Sequence, residues 1–106
     1  MTFNAALEIK NSTAKIALSG DLDRNTADEF KAKIEQATQV DISKLVLMMQ
    51  DLEYMASAGL RVLIFAKQKM GKAADIYIVG ANEIVLDTIK KTGFHHSVIL
   101  SDEYTE

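Results

Sequence analysis

Ser57 lies in the run Tyr54-Met55-Ala56-Ser57-Ala58-Gly59-Leu60-Arg61. An apolar stretch at residues 45–49 comes before it, and an apolar helical pattern over residues 58–70 follows. A hydroxyl at a helix start, next to two small residues, has three chemical uses. It can cap the helix by accepting a backbone N–H. It can act as a nucleophile if a base and an oxyanion hole stand nearby. It can carry a phosphate, which uncovered N–H groups and the helix dipole stabilise.

Other residues compete for a chemical role. Met55-Ala56-Ser57-Ala58-Gly59 is similar to the second half of a Gly-x-Ser-x-Gly nucleophile elbow, and Asp75 or Asp87 followed by His95 or His96 completes a triad order. An elbow needs a small residue where Met55 stands. The apolar stretch also ends several residues before Ser57, so no strand-to-helix elbow is expected there. Asp21 and Asp23, two apart, could bind metal or transfer protons. No third or fourth oxygen ligand accompanies them, so a polar turn is the simpler reading. Adjacent His95 and His96 cannot easily face one metal, and surface loop positions suit them better. Met48, Met49 and Met55 read as core filler, with Met55 close enough to the loop to serve an adaptable binding surface. No Gly-Lys-Ser/Thr follows any glycine, which excludes a phosphate-binding loop of that kind.

These residues need elements to position them. Leu7 and Ile9 alternate with Glu8 and Lys10, the period of a half-buried strand. Asn11-Ser12-Thr13 reads as a turn into a second strand carrying Ile16 and Leu18, making a hairpin. Gly20-Asp21-Leu22-Asp23 is expected to break that strand. Thr26 with Glu29 three residues on predicts a capping box. Ala27, Phe30, Ile34 and Ala37 then lie on one helical face. Residues 45–49 form an uninterrupted apolar strand, as in a sheet covered on both faces. The helix after Ser57, with Ser57 as its cap, is expected to end near Gly71. A buried strand at residues 76–79 closes at Gly80. Asn82 is placed to cap a third helix with Val85, Leu86 and Ile89 inward, ending near Lys90, Lys91 and Gly93. Residues 98–100 are a short last strand, and residues 101–106 an acidic tail expected to fray. The order is ββαβαβαβ. Parallel strands need helical crossovers, so the expected fold is α/β: about five strands, mixed and mostly parallel, with helices packed on the sheet.

Composition narrows the setting. With 106 residues, a single domain over residues 1–106 is expected. A net charge of −3 and the lack of a basic stripe argue against nucleic acid as a partner. There is no cysteine, hence no disulfide framework or thiolate metal site. No run approaches the ~18 apolar residues of a membrane span. The first residues carry no secretory signal pattern. A cytoplasmic protein without cofactor or metal is expected.

Three segments, in this order, carry a family resemblance. Gly20-Asp21-Leu22-Asp23-x-x-Thr26-Ala27 resembles the Gly-Glu-Leu-Asp-x-x-Thr-Ala lead-in to the first helix of STAS domains. The segment from Asp51 to Leu60 resembles their phosphorylation loop, Asp/Ser-Ser-Ser/Ala-Gly-Leu. Leu86-x-x-Ile89-x-x-Thr92-Gly93-Phe94 resembles their last helix and its Gly-Leu/Phe turn. The similarity spans nearly the whole chain and is greatest to stand-alone bacterial anti-sigma-factor antagonists.

The resemblance implies a binding switch rather than an enzyme. Antagonists of this kind bind an anti-sigma factor that is also a serine kinase of the histidine-kinase ATPase fold, and so free the sigma factor. The kinase phosphorylates the serine matching Ser57, and the complex separates. A metal-dependent serine phosphatase restores the binding form. Asp21 and Asp23 match residues near the phosphoacceptor that help meet the kinase, and Met55, Ala56, Ala58 and Gly59 match the surrounding loop. Ala56 stands where many members have an acid, and Met48 where many have Asp or Asn at the end of the third strand. Both changes remove polar groups that could position the serine or a nucleotide. The alternative is a STAS scaffold or accessory subunit, in a signalling assembly or a lipid transporter, in which Ser57 is only a helix cap.

Overall fold

The computed structural model describes residues 2–72 and 74–104. Strands β1 (Asn4–Lys10) and β2 (Thr13–Leu22) form an antiparallel hairpin with Lys10 opposite Thr13. Its two-residue loop has Asn11 and Ser12 at φ 52° and 66°. Left-handed backbone at both loop positions matches the twist of the flanking strands. Helix α1 (Ala27–Ala37), β3 (Lys44–Met55), α2 (Ser57–Met70), β4 (Asp75–Val79), α3 (Glu83–Lys91) and β5 (Ile99–Ser101) complete the ββαβαβαβ order. A 3₁₀ turn at Phe94–Ser97 leads into β5.

The sheet runs β1-β2-β3-β4-β5, and every pair after the hairpin is parallel. Strand order thus equals chain order. Each right-handed crossover advances in the same direction, so each deposits its helix on the same face. Phe30, Ile34, Leu60, Leu63, Val85 and Ile89 from the helices join Ile16, Leu18, Leu45, Leu47, Ile76 and Ile78 in one buried cluster. The expected cover on both faces is therefore corrected. Val46 and Val79 are buried but lie outside that cluster. Large side chains shield the helix-free face around them instead. The Tyr104 and Tyr77 rings meet edge to face with centroids 5.6 Å apart, and the amines of Lys15 and Lys44 approach these rings at 5.7 and 6.0 Å. Ser101 belongs to β5 and Tyr104 packs, so the tail is ordered at least to there; residues 105–106 of the expected frayed tail lie outside the described residues. On β1, Ala5 is buried and Leu7 packs half-buried against the core as expected, whereas Ile9 is 42% exposed.

Two strand boundaries also differ from expectation. β2 does not break at Gly20. It continues to Leu22, with a register shift against β3 between Gly20 and Asp21. Gly20 has φ 82°, and a Cβ there would strike the Thr2 carbonyl where the N-terminal segment crosses. The extra residue, Glu53, is on β3, and a bulge of this kind keeps the two strands paired while redirecting their ends. β3 does not stop at Met49 either; it runs through Gln50, Asp51 and Glu53 to Met55. Its first five residues pair with β4 on one side, whereas the later part pairs only with β2.

Helix α3 supplies the missing partners. The Asn82 amide donates to the Leu52 and Glu53 carbonyls at 3.2 and 3.3 Å, and the Thr88 hydroxyl donates to the Met55 carbonyl at 3.0 Å. Asn82 meanwhile accepts from the Val85 N–H at 2.9 Å and caps α3 as expected. On the other flank the Ala56 N–H donates to the Leu22 carbonyl at 2.8 Å. The end of β3 is thereby fixed on both sides. Packing below it is tight: a Cβ on Gly59 would come within 2.6 Å of Leu22 Cγ and 3.1 Å of Met55 Cγ.

Two stability measurements check this anchoring. Thr88→Val removes the donor to Met55 and is expected to cost about 1–2 kcal/mol in urea unfolding, while Thr88→Ser retains most of it. Gly59→Ala forces Leu22 and Met55 to shift and is expected to cost about 1–3 kcal/mol. A midpoint unchanged by either Thr88→Val or Gly59→Ala contradicts that part of the account.

Candidate functional site

The carboxyl ends of parallel strands are where open α/β sheets place their working residues. Here the ends of β2 and β3 lie side by side, with Asp21 in register with Tyr54 and Leu22 with Met55. Their connections into α1 and α2 carry the two acidic residues and the serine.

The β2–α1 turn is built around Asp23. Its carboxylate accepts from the N–H groups of Asn25 at 2.9 Å and Thr26 at 3.2 Å, and its carbonyl accepts from the Ala27 N–H at 2.9 Å. The Thr26 hydroxyl faces backward into the same turn. It accepts from the Asp23 N–H and donates to the Asp21 carbonyl, both at 2.9 Å. The expected capping box with Glu29 does not form, because Thr26 makes no side-chain cap bond to α1. Its hydroxyl is committed to closing the turn, a local competition open to any Ser, Thr, Asn or Asp. Asp21 and Asp23 are both half-buried. Among the described residues, no group of three or more His, Asp or Glu could hold a metal ion.

The β3–α2 junction is shorter than expected. β3 ends at Met55, Ala56 is the cap residue, and Ser57 is already the first residue of α2. This corrects two expectations. Ser57 does stand on a direct strand-to-helix turn, and it is not the N-cap. Ala56 occupies the cap position in extended backbone and has no side chain to bond the first turn. A helix leaves its first N–H groups without intrahelical partners, and these carry its partial positive charge. No carboxylate lies in the first turn of α2. Ser57 is exposed, and its hydroxyl makes no hydrogen bond among the described residues.

The small residues around Ser57 divide by depth. Ala56 and Ala58 are half-buried and border it at the surface. Met55 is 1% exposed and Gly59 is buried, so neither offers a contact surface. Met55 is core filler rather than an adaptable binding side chain. Met49 is fully buried as expected, and Met48 is half-buried in mid-strand, because β3 runs on past it.

Two open grooves flank Ser57. One, of about 420 Å³, lies toward α3 and is lined by Tyr54, Ser57, Ile84, Asp87 and Lys91, among others. The second, of about 370 Å³, lies between α1 and α2. It begins at Ala58 and gathers Arg24, Lys31 and Arg61 around the single carboxylate of Asp28. The Lys31 amine rests 4.8 Å from the centre of the Phe65 ring there.

No triad assembles. Asp75 opens β4 in register with Lys44, at the opposite end of the sheet from Ser57. Asp87 lines the Ser57 groove, but neither histidine does. His95 and His96 sit in the 3₁₀ turn with ring centres 3.9 Å apart. The His95 Nδ1 is buried without a hydrogen-bond partner, and its imidazole titrates below the usual histidine range. Loss of hydration is the main cause, followed by the charges of His96 and Lys90.

The exposed apolar side chains Tyr54 and Ile84 escaped the sequence reading. Both rim the Ser57 groove, at 45% and 56% exposure. Ile84 carried a signal: it is a large apolar residue off the helical face formed by Val85 and Ile89. Tyr54 carried none, because the bulges in β3 remove the alternation that would show which side it faces.

Solved structures share this architecture. An anti-sigma factor antagonist from Mycobacterium paratuberculosis superposes with a TM-score of 0.87 at 22% identity, over 96% of this chain and 87% of that one. The Bacillus cell fate determinant SpoIIAA, in its phosphorylated form, gives 0.72 at 18% identity, over 96% and 93%. The STAS domain of a SulP transporter from Vibrio cholerae gives 0.68 at 22% identity, over 92% and 78%. At these identities the likeness is one of fold. The sequence itself matches the STAS domain family model over residues 4–106, and with the five-stranded sheet and three one-sided helices in place, the chain belongs to the STAS domain family.

Proposed function

We propose that this chain is an anti-sigma-factor antagonist in a partner-switching pathway, acting as a single cytoplasmic domain over residues 1–106. Unphosphorylated, it binds an anti-sigma factor with serine kinase activity. That kinase transfers the γ-phosphoryl group of ATP to Ser57. The Oγ–P bond forms, the bond from γ-phosphorus to the β,γ-bridging oxygen breaks, ADP leaves, and the hydroxyl proton passes to a base on the kinase. The phosphorylated chain dissociates, and a metal-dependent serine phosphatase returns it to the binding form. The chain is the substrate and ligand in this cycle, not a catalyst.

One observation carries the reading: Ser57 is exposed, free of hydrogen bonds among the described residues, and seated in the uncapped first turn of α2 beside the Asp21–Asp23 turn. A serine serving only as a cap would be spending its oxygen on a backbone N–H. Two structures of similar fold, an anti-sigma factor antagonist and SpoIIAA in its phosphorylated form, support the same assignment. Helices across the sheet face and both strand ends hold the site in place, so no change of fold is needed for switching. A phosphate brings about −1.5 to −2 charges to a surface that must lose water on docking. Asp21 and Asp23 on the adjoining strand end add repulsion. Each 1.4 kcal/mol is about tenfold in affinity, so a few kcal/mol of uncompensated desolvation separates the complex.

Incubated with its partner kinase and Mg-ATP, the chain should gain phosphate on Ser57 alone, read by mass spectrometry. Ser57→Ala should fold with a change below about 0.5 kcal/mol, because Ser57 is not the cap and alanine suits a helix. It should hold the kinase without release. Ser57→Asp should fold at least as well, its charge suiting the helix start, yet bind about 100-fold more weakly by calorimetry. Equal affinities for the two variants would favour the scaffold or accessory-subunit reading.

The acidic turn needs a gentler substitution than alanine. Asp23→Ala would remove the acceptor that shapes the turn. Asp23→Asn keeps an acceptor oxygen and drops only the charge. If Asp23 meets a cation on the kinase, Asp23→Asn should weaken binding by about 2–5 kcal/mol when that contact is buried, and far less at a rim. Unchanged affinity for both Asp23→Asn and Asp21→Asn removes the turn from the interface.

A further inference from the structure

The groove on the α3 side of Ser57 has an unusual division of labour. Tyr54 and Ile84 give it exposed apolar rims. Among the residues that line it, Lys91 is the one cation and Asp87 the one anion. Neither forms an ion pair among the described residues. Lys91 is exposed, ends α3 and lines the groove. Ser57, at the start of α2, lines the same groove.

We propose that the phosphate on Ser57 is held by Lys91 across this groove and, so held, covers the Tyr54–Ile84 surface on which the partner docks. The inference rests on Ser57 being the phosphoacceptor. It adds a cause of release to simple repulsion: the modified side chain fills its own docking groove. A phosphate has three strong acceptor oxygens and pairs readily with an ammonium group. Other charges act on it from each neighbouring element. Asp87 on α3 opposes the pairing, as do Asp21 on β2 and Asp23 in the turn after it. Arg61 stands one turn along α2 but lines the other groove, with Arg24 and Lys31. Lys91 is therefore the cation whose capture closes the groove that carries the apolar rims.

The test uses full-length chain with phosphoserine inserted at position 57 during translation, so no kinase is involved. Phosphorus-31 NMR gives the second pKa of the phosphate, and carbon-13 methyl spectra report Ile84. The phosphate in the otherwise unaltered chain should titrate about half a pH unit lower than in Lys91→Met. Lys91→Arg should restore the lower value. Arg61→Met should move it by less than half as much. The Ile84 methyl signals should shift on phosphorylation, and shift far less in Lys91→Met. A phosphate pKa indifferent to Lys91→Met, or one governed wholly by Arg61, overturns the proposal, as do Ile84 methyls blind to the phosphate. Such a result leaves the kinase switch standing, whereas failure of the kinase to modify Ser57 leaves the Lys91 contact standing.

Discussion

A strand that outruns its neighbour leaves backbone carbonyls with nothing to bond, and each buried one costs about 1–3 kcal/mol if left so. β3 has twelve residues and β4 five, so the surplus needs another partner. Helix α3 meets that need with two side chains, Asn82 and Thr88. Much of the site follows from this. The strand end is rigid, so Ser57 begins its helix at a defined point. The support comes from α3, so α3 necessarily lies beside Ser57 and forms a groove with it. That groove brings Ile84, Asp87 and Lys91 to the serine, although they lie some thirty residues on in the chain.

The same economy governs the other flank. Leu22 accepts the Ala56 N–H and also packs under Gly59. One residue of β2 thereby ties the acidic turn to the serine turn by backbone and by side chain. Asp23 and Thr26 use their polar atoms on the turn itself, which holds the Asp23 carboxylate half-buried at the end of β2. Hydrogen-bonded turns thus stand on both sides of a hydroxyl that makes no hydrogen bond among the described residues.

Much of this was legible in the residues. The hairpin, the apolar face of α1, the Asn82 cap and the central place of residues 45–49 and 76–79 all follow from period, capping chemistry and turn residues. The misses have physical causes. Gln50, Asp51 and Glu53 look like a loop, because a bulged strand end bonded to side chains needs no apolar alternation. Thr26 and Glu29 fit a capping box by spacing, but spacing does not say which way a hydroxyl turns when an aspartate turn competes for it. Continuous apolar strands suggested helices on both faces, yet strand order, which one sequence does not reveal, put all three on one. Ser57 reads from spacing as the cap of its helix, whereas its place one step inside the helix depends on where β3 ends.

Strand order that repeats chain order also bears on how the molecule is made. Each strand's neighbour is supplied by the next stretch of chain, so the sheet can grow by addition at its open edge as synthesis proceeds, with short loop closures throughout. The serine turn emerges in the middle of that sequence, together with β3. Its carbonyl support arrives only with residues 82–91. A nascent chain that has presented Ser57 but not yet α3 has the hydroxyl without the groove that α3 later forms beside it.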